Sequence, residues 1–315
     1  MKFYIFCLLG IVFYVNDVLA ELTVCSSIRP LYSLVENITK DINNSKLLVS
    51  KPNSSPHNYS LSPSELKLLS SCDIIFLIDK NLEYFLPKAI ATAGKKNLVI
   101  VELTKDASIH LLKTREKIIN KNKDDTHHEH HHSEDDLDHH HHGENDLHIW
   151  LDPENAKAIL KIVANTLMKY DTAHLDQYVL NAEIAQDKVT NLDKEVGLKL
   201  QPYKNSSYLV FHDAYQYFDT HYKLNYLGEF SSSGSTISAK KLSLLQDIII
   251  KNKVKCIFSE PEFSNHIITK IAQNTKIKTG VLDAEWGGNN TQSNDIYFAL
   301  MRNLADNFVQ CMNDR

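Results

Sequence analysis

Two hydrophobic patterns alternate along the first third of this chain. Apolar stretches at Leu22–Ile28, Leu47–Val49, Asp73–Ile78 and Leu98–Val101 are short and nearly unbroken, and they read as buried strands. Between them, apolar residues recur every three or four positions. That spacing predicts helices from Pro30 to about Lys40, from Ser62 to about Ser71, and from Asn81 to Ala91. Pro30 suits a first helical turn, where a missing N–H costs nothing. Ser62-Pro63-Ser64-Glu65 supplies an N-cap serine, a proline at the first helical position and a glutamate at the third, which together make a capping box. The stretch KPNSSPHNYSLSPSE, with Pro52, Pro56, Pro63 and the single histidine His57, reads as a loop. Strand alternating with helix predicts a parallel sheet in an N-terminal α/β lobe, residues 21–123.

The periodic pattern resumes after residue 147. Pro153 starts a helix to about Tyr170, so residues 148–171 close the first lobe. Leu175, Val179, Ala182, Ala185, Val189, Leu192, Val196 and Leu200 then continue in steps of three and four until Pro202. An unbroken helix over 172–202 would be about 45 Å long, enough for a rigid strut between two lobes. A second alternation fills residues 203–315. Its strands are expected at Tyr208–Phe211, Leu224–Phe230, Lys255–Ser259 and Lys278–Leu282. Its helices are expected at Asp213–His221, Ser238–Asn252, His266–Asn274 and Asp295–Met312, with SSSGST as a turn. The fold class is therefore α/β: two lobes with central, mostly parallel sheets, joined by one long helix.

Composition changes this picture in three places. Of the 16 histidines, nine lie at His127, His128, His130, His131, His132, His139, His140, His141 and His142. Nine carboxylates and no Lys or Arg lie between Asp124 and Asp146, a composition that cannot bury a core, so 124–147 is expected to be a disordered loop. With those nine charges set aside, the overall −5 becomes +4, and no basic face suggests nucleic acid. Residues 1–20 carry Lys2, an apolar run from Phe3 to Val15 and small residues before Glu21, the pattern of a secretory signal. Export leaves Cys25, Cys72, Cys256 and Cys311 in an oxidising compartment. Four cysteines allow three pairings, and spacing does not choose among them. Free buried thiols at Cys25 and Cys72 are an equal expectation.

The candidate chemistry lies in single histidines at strand ends. Ligands of open α/β sheets bind beyond the carboxyl ends of strands. His57 follows a strand by one loop, His148 precedes a helix, and His212 directly follows the strand YLVF. Asp283 directly follows TGVL. Three imidazoles and a carboxylate from two lobes could converge across a cleft, and neutral imidazole suits zinc. His110, His174, His221 and His266 lack this placement and read as structural or solvated. The histidine run should bind transition metals weakly. A zinc hydrolase, with Glu260 or Glu262 as base, is the competing class, but no HExxH pair, GxSxG elbow or phosphate-binding glycine loop is present.

SPHNYSLSPSEL, DLHIWLDPENA and YLVFHDAYQYFDTHYKL resemble the three metal-ligand segments of the cluster A-I (cluster 9) metal-binding proteins of ABC importers, and the zinc-uptake members among them in particular. CIFSEPEFS and TGVLDAEWG also fit, and the likeness covers the whole mature chain. It implies a two-lobed, monomeric periplasmic solute-binding protein that captures Zn2+ between the lobes and delivers it to a membrane permease with a cytoplasmic ATPase. His57 and His148 would come from the first lobe and His212 from the second. Manganese members carry glutamate where this chain has His212, so zinc is favoured over manganese or iron. Some members place a Glu before the first ligand; here that residue is Pro56. The resemblance further implies Asp283 as the completing carboxylate and a Cys256–Cys311 disulfide. An adhesin role on the same fold is an alternative it leaves open.

Overall fold

Each lobe is built on the same strand order. The first sheet comprises β1 (Thr23–Ser26), β2 (Asn44–Leu47), β3 (Ile74–Leu77) and β4 (Val99–Glu102), arranged β2-β1-β3-β4 with every pair parallel. The second comprises β5 (Tyr208–Val210), β6 (Tyr226–Glu229), β7 (Cys256–Ser259) and β8 (Lys278–Val281), arranged β6-β5-β7-β8, again parallel throughout. In each sheet the order reverses beside the first strand, which creates a crevice at the carboxyl ends of β1/β3 and β5/β7. The computed structural model describes residues 21–52, 54–115, 144–230, 239–261, 266–287 and 292–313, apart from the side chains of 239–241, 266 and 267. The expected secretory signal, the nine-histidine run, the SSSGST turn and Glu262 lie outside the described residues.

The helices are α1 (Arg29–Thr39), α2 (Pro63–Ser71), α3 (Phe85–Ala93), α4 (Pro153–Tyr170), α5 (Leu175–Leu200), α6 (Gln216–Tyr222), α7 (Ala239–Lys251), α8 (His266–Thr275) and α9 (Ile296–Met312). The capping box forms as the sequence predicts: Glu65 N donates to Ser62 Oγ, and Ser62 N donates to Glu65 Oε2 at 2.7 Å. Glu65 does more than cap. Its Oε1 accepts from Tyr59 OH at 2.6 Å, which ties the loop carrying His57 to the start of α2. Burial alone would raise the Glu65 pKa, but hydrogen bonds from Tyr59 and Ser62 hold it below the usual carboxylate value.

The strut is α5, 26 residues and therefore about 39 Å long. Short 3-10 turns at Thr172–His174 and Gln201–Tyr203 flank it, so the expected helix over 172–202 is α-helical only in its middle. Its buried stripe departs from the expected one at the start. Leu175 and Val179 are 41% and 45% exposed, and Tyr178 is buried instead. Polar bonding explains the exchange: Tyr178 OH donates to Asp171 Oδ2 at 2.8 Å and also contacts Asn43 Nδ2. From Ala182 to Leu200 the predicted stripe is buried. It packs against α1 and α4 on the first lobe and α9 on the second.

One continuous apolar core runs through both lobes, from Val24, Leu31 and Phe76 through Val189 and Leu192 to Phe258, Leu304 and Phe308. α9 returns to touch α1, where Tyr297 N donates to Ser33 Oγ at 3.0 Å. The lobes therefore share their packing, and a wide hinge motion would open a dry core. Two disulfides staple the sheets. Cys256 in β7 joins Cys311 in α9, the pairing that the family likeness implies. Cys25 in β1 joins Cys72 at the end of α2, which settles a pairing that spacing left open and removes the free-thiol alternative. No helix among the described residues is long and apolar enough to cross a membrane.

Candidate metal centre

His57, His148 and His212 meet between the lobes. Their ring centroids form a nearly equilateral triangle with sides of 5.4, 5.5 and 5.4 Å. One nitrogen from each ring lies within 4.8 Å of the others, and the Nε2 atoms of His57 and His148 are 3.4 Å apart. A tetrahedral zinc with bonds of about 2.0–2.1 Å needs nitrogen–nitrogen edges of about 3.3 Å. The His57–His148 edge already has about that length, and the edges to His212 are no longer than 4.8 Å.

Local structure aims each ring. His57 sits in the 3-10 turn Pro56–Asn58, capped by Ser55 Oγ, which accepts from His57 N at 3.3 Å. His148 is only 5% exposed and opens the turn Ile149–Leu151, whose three side chains are fully buried. Asp152 then caps α4, accepting from Glu154 N at 2.9 Å, and Pro153 takes the first helical position. Asp146 Oδ1 accepts from His148 N at 3.0 Å and lies 2.7 Å from His148 Nδ1. That contact places the ring proton on Nδ1 and leaves the Nε2 lone pair for a metal, the usual outer support of a metal-binding histidine.

His212 follows β5 by two residues, and Glu260 follows β7 by one. β5 and β7 are in parallel register, Val210 opposite Phe258, so these two residues emerge side by side at the crevice. Glu260 is 3% exposed, and its Oε2 lies 3.4 Å from His212 Nδ1. Burial pulls the His212 pKa down, but the Glu260 carboxylate, with Glu229 and Asp213 behind it, more than offsets this and raises it to about 9. The metal-free ring is therefore charged at neutral pH.

Asp283 is not part of the converging group. Its Oδ1 instead closes the turn after β8, accepting from Glu285 N at 2.9 Å and Trp286 N at 2.8 Å. His174 pairs with Asp171, and His221 sits between Asp152 and Asp193, so both fit the structural reading. Sequence reasoning missed Asp146 and Glu260 as orienting carboxylates. The Asp-Leu-His spacing and the register of neighbouring strands were the signals that could have found them.

Two lobes on parallel sheets sharing a strut, with an imidazole triad between them, define a metal-binding protein of the solute-binding class. A family profile described as "Zinc-uptake complex component A periplasmic" (ZnuA) matches residues 24–311, and the chain belongs to that family. The chain is 34% identical over 304 residues to the high-affinity zinc uptake system protein ZnuA of Brucella abortus, covering 91% of this chain and 90% of the relative. It is 34% identical over 300 residues to the protein of the same name from Haemophilus ducreyi, covering 93% and 94%. A crystal structure of ZnuA superimposes with a TM-score of 0.75 at 23% identity, covering 93% of this chain and all of that one, and so confirms the fold.

Proposed function

We propose that the chain captures Zn2+ with His57, His148 and His212 in the periplasm and hands it to an ABC permease driven by an ATPase on the far side of the membrane. The convergence of three buried or half-buried imidazoles, with a nitrogen spacing that suits tetrahedral zinc, carries this reading. Three nitrogens favour zinc over the harder manganese, whose sites prefer oxygen. They fill three of four tetrahedral positions and leave the fourth to an exchangeable ligand. That suits a carrier which must release its cargo. The relatives' name, high-affinity zinc uptake system protein, supports the same assignment.

Capture and delivery need no catalysis. A hydrolase would need a carboxylate free to activate water, whereas Glu260 faces His212 Nδ1 and serves to orient and charge that ring. The histidines between 127 and 142 then act as a weak collector. The ends of their segment are pinned beside the tight site: Asp146 N donates to Leu112 O at 2.9 Å and Thr114 N to Glu144 O at 3.2 Å.

Zinc must displace the His212 proton, which gives the sign of the pH dependence. Below about pH 9 each unit of acidification should weaken zinc binding about tenfold through this group. Calorimetry at pH 7 in two buffers of different ionisation enthalpy should therefore find about one proton released per zinc from His212, besides any from the other rings. Binding that is independent of pH between 6 and 8, with no proton release, would contradict the assignment. Folding of the metal-free protein runs the other way. The raised pKa contributes stability fully below about pH 6.5, and that stability is lost as pH rises through about 9.

A further inference from the structure

Arg115 is the last described residue before segment 116–143, and it reaches across to the second lobe. Its Nε donates to Asp213 Oδ2 at 2.9 Å, its Nη1 to Asp219 Oδ1 at 3.1 Å, and its Nη2 to Asp219 Oδ2 at 3.0 Å as well as to Asp213 Oδ1. The guanidinium lies 3.5 Å from the centroid of the Tyr226 ring. Asp213 immediately follows the zinc-site residue His212, and its backbone N donates to Glu229 at 3.1 Å. A planar fork gripping two carboxylates while stacked on an aromatic face fixes geometry in a way a lysine could not.

The same chain segment also holds His148. Residues 112–115 pair with 144–146 through an antiparallel bridge, Lys113 opposite Asn145. Tyr217, on α6 of the second lobe, locks both sides of this pair. Its hydroxyl accepts from Leu112 N at 3.0 Å and donates to Asp146 O at 2.8 Å. Asp146 is the residue whose carboxylate orients His148. Gln216 adds a bond from Nε2 to Lys113 O at 3.0 Å. A continuous path therefore runs from His212 through Asp213, Arg115, the paired segment and Asp146 to His148, and it crosses between the lobes.

We propose that Arg115 is a positioning residue for zinc: it pins the paired segment to the second lobe and thereby sets the separation of His148 from His212. A metal site tolerates displacements of only about 0.5 Å before it loosens, so a cross-lobe pin of this kind controls affinity without touching the ion. This inference rests on the imidazole triad being the zinc site.

The test uses the full mature chain, with Zn2+ titrated against a competing chelator and Co2+ as a spectroscopic stand-in. Arg115→Ala should weaken zinc binding at least tenfold, within the range of about 10–100-fold for outer supports of metal ligands, and should alter the Co2+ ligand-field bands. Arg115→Lys should fail to restore the parent affinity, whereas millimolar guanidinium added to Arg115→Ala should recover much of it. Tyr217→Phe, which removes only the hydroxyl, should weaken binding about fivefold and serves if Arg115→Ala does not fold. Folded Arg115→Ala and Tyr217→Phe proteins with zinc affinity within about twofold of the parent and unchanged Co2+ spectra would overturn the proposal. His148→Ala in the otherwise unaltered chain separates the two readings: if it leaves the Co2+ spectrum unchanged, the triad assignment itself fails.

Discussion

His148→Ala should weaken zinc binding by more than ~100-fold while leaving the protein folded. Loss of an outer partner such as Asp146 costs about 10–100-fold in metal affinity, and loss of the ligand itself must cost more. Two imidazoles from opposite lobes would remain, without the best-supported of the three. The fold should survive because the turn after His148 is held by Ile149, Trp150 and Leu151, all fully buried, and by the Asp152 cap of α4. Trp150 adds an anchor across the lobes, its Nε1 donating to Ala284 O at 2.8 Å. Thermal unfolding offers an independent measurement. At a free zinc concentration of 100 times the parent's Kd the parent protein gains about 2.7 kcal/mol, and the variant at the same concentration should gain no more than about 0.4 kcal/mol. A variant that keeps the parent's zinc-induced stabilisation would show that His148 is not a ligand.

The second large effect concerns stability. Replacing Cys256 and Cys311 by serine should cost about 4 kcal/mol, because the bridge closes a loop of 55 residues in the unfolded chain. The Cys25–Cys72 bridge closes 47 residues, so its removal should cost nearly the same, within about 0.2 kcal/mol on loop length alone. Both pairs lie in the core, with Cys25, Cys72 and Cys256 fully buried. Together the two bridges contribute about 8 kcal/mol, comparable with the whole stability of a typical domain, about 5–15 kcal/mol. Urea unfolding of each double-serine variant, beside the parent with and without reductant, measures these terms. Reduced parent protein that unfolds at the same urea concentration as oxidised protein would refute them.

Much of this architecture could be read from hydrophobic spacing because each element is locally consistent. Buried strands such as Ile74–Leu77 are unbroken apolar runs, and the helix before this one begins at a serine-proline-glutamate signal that the structure uses in full. The convergence of His57, His148 and His212 was partly legible from placement beyond strand ends, which also pointed to Asp283, and the family resemblance singled out the three histidines. What escaped depends on partners distant in sequence. Tyr178 displaces Val179 from the buried face of the strut because Asp171 and Asn43 await its hydroxyl. Asp283 follows a strand as a ligand would, yet it caps its own turn, an option open to any Asp followed two and three residues later by free backbone N–H groups. The Arg115 fork joins residues about a hundred positions apart, and no local signal marks it.

The central claim places the tight zinc site in three scattered histidines and not in the run of nine. Zinc titration against a competing chelator tests it with two variants of the mature chain, one lacking residues 124–143 and one with His57→Ala, His148→Ala and His212→Ala combined. The account predicts that the shortened chain keeps one tight zinc and loses the weak ones, and that the triple variant keeps only weak binding. A tight site that vanished with residues 124–143, or survived in the triple variant, would contradict it.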